Sequence, residues 1–235
     1  MAIAVQLRSA VALVGRFPAL AGIDLDVAAG EVVLLRGPNG AGKTSVLRAC
    51  AGLLAVVSGE ASVLGHDLRR DRRSVRPEVG MLGHTGFLYD DLTAEENVRF
   101  AAGAGGGDRA GDQDGAHART GPTLARLGLD GRLRDVPVAR LSAGQRRRVS
   151  IAALVVRRSR LWLLDEPHAG LDAEGRELLD HLVREAVGAG VTVLFTSHEG
   201  DRATALADRV VRISGGRVQS QTPSSDEPRA SVHVA

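Results

Sequence analysis

The chain has 235 residues, 44% of them hydrophobic, and a formal net charge of +2, which allows one large or two small domains around a real core. So small a net charge argues against a dedicated nucleic-acid binder, and a single cysteine, Cys50, excludes an internal disulfide framework. Aromatic residues make up only 3%, so packing has to be aliphatic.

Residues 1–8 lack a basic segment followed by an apolar core, so no secretory leader is read there. No run approaches the roughly 18–20 apolar residues of a membrane helix, and the polypeptide itself is expected to be soluble and cytoplasmic. Residues 3–7 and 10–14 read as two early strands. Residues 20–27 alternate, with Ile23, Leu25 and Val27 set against Asp24 and Asp26, as in a half-exposed antiparallel strand.

The apolar run Val32-Val33-Leu34-Leu35 leads to Gly37-Pro38-Asn39-Gly40-Ala41-Gly42-Lys43-Thr44-Ser45, and helix-compatible residues 45–50 follow. The segment fits G-x-x-x-x-G-K-[ST], and strand, Gly-rich turn and helix are the setting this motif needs. Glycines let backbone N–H groups converge on phosphate oxygens, the helix N-terminus adds a positive end, and Lys43 adds a point charge. Thr44 would offer its hydroxyl to Mg²⁺. Lys43 is the only lysine among 30 Lys and Arg residues, at a place where a compact ammonium serves better than a guanidinium fork.

Further on, residues 61–65 read as a short strand and turn, the basic stretch 69–76 as a solvated helix face, and 79–83 as a buried parallel strand. Thr93 and Glu96 carry a capping-box signature. Residues 103–121, rich in Gly, Asp, Ala and Arg, read as a flexible surface insertion, with a helix resuming over 123–129. Leu141-Ser142-Ala143-Gly144-Gln145 precedes Arg146, Arg147 and Arg148, which are either a solvated helix face or a set that positions the preceding segment. A helix continues over 150–156. The apolar strand Leu161-Trp162-Leu163-Leu164 ends in Asp165-Glu166-Pro167. Residues 174–187 have helical spacing, 191–196 form a buried strand ending at Ser197-His198, and 201–207 read as a helix. Residues 210–213 and 217–219 form a closing hairpin across Gly215-Gly216, and residues 220–235 read as a disordered tail.

In this order, the segments 37–45, 141–145, 161–166, Ala169-Gly170-Leu171-Asp172 and Ser197-His198 resemble the ATP-binding subunit of an ABC transporter, over residues 3–219. The resemblance implies an α/β P-loop ATPase spanning residues 1–219. Its expected parts are a mostly parallel core sheet, an antiparallel β subdomain near the N-terminus, and an inserted α-helical subdomain over 84–156. Its ligands would be ATP and Mg²⁺. Asp165 would hold Mg²⁺ through water, Glu166 would polarise the attacking water as general base, and His198 would reach the γ-phosphate. Ser142, Gly144 and Gln145 would approach the γ-phosphate bound by a second subunit, so ATP would lie in a head-to-tail dimer with Asp172 communicating across it.

Two positions depart from the family pattern. The usual glutamine after the strand 79–83, a Mg²⁺ ligand that also couples to membrane subunits, is replaced by His84, with Thr85 the alternative. An adenine-stacking aromatic is expected where Val14 stands; Phe17 could substitute, or adenine could pack on aliphatic carbon. In finer wording, Lys43-Thr44-Ser45, Gly83-His84 and the segments around Arg146 and Trp162 resemble the haem-exporter ATPases of cytochrome c biogenesis. That likeness implies integral membrane permease subunits as partners and a peripheral place on the inner face of the cell membrane. No Cys-x-x-Cys-His is present, so haem itself is not expected to bind this chain. A drug, lipid or polysaccharide exporter is the alternative. A soluble ABC protein would need two modules or a long coiled coil, and a non-hydrolysing switch is opposed by Glu166 and His198.

Overall fold

The computed structural model describes residues 2–83, 86–104, 113–198 and 200–226. Strands β1 (Ile3–Val14) and β2 (Phe17–Ala28) form a long antiparallel hairpin. The two strands expected over 3–7 and 10–14 are one strand with an irregularity. Its register on β2 shifts between Leu7 and Ala10, Ser9 sits at φ 43°, and both Leu7 and Ala10 are fully buried. An unbroken strand would send residues three apart to opposite faces, and the bulge returns both to the core. Gly59 makes room for it, because a Cβ there would lie 2.3 Å from the Ser9 carbonyl oxygen.

After β3 (Val32–Arg36) come α1 (Lys43–Cys50), β4 (Val56–Val63), β5 (His66–Asp67) and the one-turn α2 (Leu68–Asp71). The basic stretch 69–76 is therefore α-helical only as far as Asp71, and Arg76 opens a short 3-10 helix, Arg76–Glu78. Then follow β6 (Val79–Leu82), α3 (Ala94–Gly103), α4 (Gln113–Arg126), α5 (Ala143–Val156), β7 (Leu161–Leu164) and α6 (Ala173–Gly188). The described chain closes with β8 (Thr192–Thr196), α7 (Gly200–Leu206), β9 (Arg209–Ser214) and β10 (Arg217–Pro223).

Among the described residues the strands form two sheets. One is four-stranded and antiparallel in the order β2-β1-β4-β5; the other is six-stranded in the order β10-β9-β3-β8-β7-β6. The larger sheet is parallel except for β10. Its central strands β3, β8 and β7 are buried nearly throughout because both faces are covered, whereas the edge strand β10 is largely exposed. In β3, Val32 and Leu34 join the cluster beneath the helices, whereas Val33 and Leu35 face α1 and the antiparallel sheet. Cys50 ends α1 with no exposed surface, and burial pushes its thiol up to about 12.

Two expectations fail here. The flexible stretch over 103–121 is helix α4 from Gln113 onward, and Thr120, Leu124 and Leu127 are buried. Those residues fall at i, i+4 and i+7, one face of a helix, and Leu124 and Leu127 pack into the core with α3 and α5. Gly103 ends α3, and residues 105–112 lie outside the described residues. The tail expected over 220–235 begins instead as strand, because β10 pairs with β9 as far as Pro223↔Arg209; residues 227–235 are not described. Among the described residues no helix is long and apolar enough to cross a membrane.

Candidate nucleotide site

The loop between β3 and α1 is built by backbone that only glycine adopts easily. Gly37, Gly40 and Gly42 have φ of 152°, 77° and 105°. A Cβ on Gly37 would lie 2.0 Å from the Ile213 carbonyl oxygen, and one on Gly42 2.7 Å from that of Ala19. The turn at Gly215-Gly216 clamps the arrangement, since Gly216 N–H donates to Ala41 O and accepts at its own oxygen from Ala21 N–H. Gly42 caps α1 in the left-handed conformation with no side-chain acceptor, so the first N–H groups of the helix are open to an anion. Lys43, 8% exposed, donates from Nζ to Gly37 O at 2.8 Å and Pro38 O at 3.0 Å.

Across the cleft, the register of β3, β8 and β7 brings three strand ends together. Thr44 Oγ1 donates to Asp165 Oδ2 at 2.9 Å, and Thr196 Oγ1 donates to Asp165 Oδ1 at 2.7 Å. The same Thr196 hydroxyl accepts from the Glu166 N–H at 3.0 Å. Glu166 itself holds a left-handed backbone, φ 48°, which is costly for a non-glycine residue and kept only where neighbours enforce it. Its carboxylate accepts from the His198 N–H at 3.0 Å, and His198 Nε2 lies 3.5 Å from Glu166 Oε1. Asn39, Gly40, Ala41, Gly42, Lys43, Thr44, Ser45, Asp165, Glu166 and His198 thus line one cleft of about 460 Å³, floored on one side by Ala19. Gly37 and Pro38 do not line it and join it only through the carbonyls that accept from Lys43.

Ser142, Gly144 and Gln145 do not line that cleft. They open α5, where Ser142 Oγ accepts from Gln145 N–H and Gln145 Oε1 accepts from Ser142 N–H, a reciprocal capping box. Asp172 caps α6 by accepting from Gly175 N–H; that bond and the Arg148 guanidinium hold its carboxyl below the usual range. The three arginines after Gln145 are no solvated face. Arg146 donates to Leu141 O and Ala139 O, Arg148 to Asp172, and Arg147 is buried against backbone carbonyls. His84 and Thr85 lie outside the described residues. Sequence reasoning missed Thr196, whose only signal was a hydroxyl residue at the end of the strand that leads to His198.

The family model described as ABC transporter matches residues 20–169. This chain is an ABC transporter ATPase. It is 40% identical over 196 residues to the cytochrome c biogenesis ATP-binding export protein CcmA of Bordetella bronchiseptica, covering 82% of this chain and 83% of that one. It is 38% identical over 212 residues to the daunorubicin resistance ATP-binding protein DrrA3 of Streptomyces coeruleorubidus, covering 90% and 65%. A solved structure described as the ATP binding subunit of an ABC transporter superimposes with a TM-score of 0.84 at 27% identity, covering 93% of this chain and 89% of that one. As an ABC ATPase, the chain binds and hydrolyses ATP.

Proposed function

We propose that this ATPase drives an export pump whose membrane-spanning parts are separate permease subunits, and that the pump serves haem export for cytochrome c maturation. The observation that carries the motor reading is the meeting of the phosphate cradle with Asp165, Glu166 and His198 in one cleft. The haem reading rests on the CcmA relative. Drug export is the second reading, favoured by the daunorubicin-resistance relative, which matches a larger share of this chain.

In the cleft, the N–H groups at the start of α1 and the Lys43 ammonium receive the β- and γ-phosphates, in place of the carbonyls that Lys43 now contacts. The donor set suits Mg²⁺: the hard oxygens of Thr44 and Asp165 lie 2.9 Å apart beside the cradle. Among the described residues no group of three or more His, Cys, Asp or Glu gathers to hold a metal, and Mg²⁺ on phosphate oxygens needs only one or two protein ligands. When bound, the ion neutralises charge on the phosphates. Thr196 steadies Asp165 and Glu166 together. Glu166 takes the proton from the attacking water, and His198, hydrogen-bonded to it through its own N–H, keeps that carboxylate in place.

Because Ser142 and Gly144 open α5 outside the cleft that holds Lys43, the Ser142 hydroxyl and the Gly144 backbone at that helix start serve a nucleotide held by a second copy in a head-to-tail dimer. Permease subunits dock in the groove between the β6 edge and helices α3 and α5. Exposed Phe87, Tyr89 and Phe100 line it with Leu53, Leu154 and Arg157, as do Gly83 and Gly86, between which His84 and Thr85 fall in the sequence; one of these two takes the coupling role. In this reading the protein sits peripherally on the inner face of the membrane.

The test is a strain lacking this chain. It should lose covalently bound haem from its c-type cytochromes, seen by haem staining of gels, and the tagged chain should purify with an integral membrane protein. Intact cytochromes with new drug sensitivity would transfer the reading to drug export.

Adenine recognition falls to Phe17. It is 80% exposed at the tip of the β1–β2 hairpin, two residues before Ala19, which lies against Gly42. Phe17→Ala is expected to raise the ATP dissociation constant about tenfold through lost stacking. An unchanged constant in equilibrium titration would leave adenine on aliphatic carbon such as Val14.

A further inference from the structure

Arg147 is a charged side chain that the reaction as derived does not use, yet it is only 8% exposed. Its guanidinium touches no nucleotide-site side chain. Nη1 donates to Gly83 O at 2.7 Å, Nη2 to Glu166 O at 2.7 Å and Asp165 O at 3.5 Å, and Nε to Pro167 O at 3.3 Å. Four carbonyls from two segments therefore converge on one planar fork carried by α5. Burial alone would disfavour the charge, and Asp165 and Glu166 support it.

The fork acts where the backbone is strained. Glu166 is left-handed at φ 48°, and its peptide neighbours are gripped from both sides. Its N–H is held by Thr196 from β8, and its carbonyl by Arg147 from α5. The remaining acceptor, Gly83 O, belongs to the segment leaving β6, where Gly83 also lines the apolar groove. A single side chain thus joins the helix that opens with Ser142 and Gly144, the segment that leads into the groove, and the turn that aims Glu166.

We infer that Arg147 is a positioning residue, which ties the aim of the Glu166 carboxylate to the placement of α5 against the core sheet. The inference rests on Glu166 being the base. A shift of α5 moves the carbonyl that Arg147 holds, so the carboxylate reaches its working position only when helix, groove segment and catalytic turn are in register. Lysine keeps the charge but offers one nitrogen in place of three, and cannot span both segments.

The test measures steady-state ATP hydrolysis and equilibrium ATP binding on the full chain carrying Arg147→Lys, Arg147→Gln or Glu166→Gln. Arg147→Lys, which keeps a positive charge on the same helix, should lower kcat about tenfold to a hundredfold while the ATP dissociation constant stays within about twofold, because misplacement affects chemistry and not the phosphate cradle. Arg147→Gln should fall further. Added to Glu166→Gln, Arg147→Lys should cost no additional rate, since the group it aims is gone. Wild-type kcat in Arg147→Lys, or a kcat loss matched by an equal loss of ATP affinity, overturns the role. Full activity in Glu166→Gln would remove the base itself, and with it anything for Arg147 to position.

Discussion

Glu166→Gln is expected to lower kcat for ATP hydrolysis by about 10²–10⁴-fold while ATP binding persists. The amide is nearly the same shape as the carboxylate. Its oxygen still accepts from the His198 N–H, and the backbone contacts to Thr196 and Arg147 are untouched. What disappears is the ability to take a proton. Nucleotide should therefore stay bound in the closed dimer, so ATP with Mg²⁺ should shift the variant to a larger species in gel filtration. A residual rate within a few-fold of wild type in a phosphate-release assay would place the base elsewhere.

Lys43→Arg is expected to weaken ATP binding by about 3 kcal/mol, roughly a hundredfold, in spite of its conserved charge. The chain uses arginine at every other Lys or Arg position, so the substitution follows its own habit. The site forbids it for steric and geometric reasons. Lys43 is nearly enclosed, its ammonium sits between Gly37 O and Pro38 O, and the surrounding backbone cannot open. Gly37 and Gly42 leave no room even for a Cβ, which would meet the carbonyl oxygens of Ile213 and Ala19. A broad planar fork has to displace that loop or lose the phosphates. Titration calorimetry showing affinity within threefold of wild type would refute the argument.

How much of this was legible depends on how local each feature is. The phosphate loop and the Ser142 and Thr93 caps are written in short contiguous stretches, where glycine, lysine or a hydroxyl has a job set by its immediate neighbours. Thr196 was not legible. Its place beside Asp165 follows from the pairing of β8 with β7 and β3, a register that alternation in one strand does not encode. Arg147 was ambiguous for the same reason: three arginines in a row resemble a solvated face until separate segments close over the middle one. Helix α4 was missed because its buried face is sparse, with Thr120 standing where a larger apolar residue would have advertised the stripe.

Cys50 gives the molecule an internal clock. As the chain's one thiol, sealed at the end of α1 with its pKa pushed up by burial, it is expected to resist alkylating reagents in the closed protein. Labelling therefore proceeds only in the instants when α1 lifts from the sheet. That helix also carries the phosphate cradle at its other end, so the labelling rate reports how often the cradle comes apart, and a nucleotide that grips the cradle slows it in proportion to its occupancy.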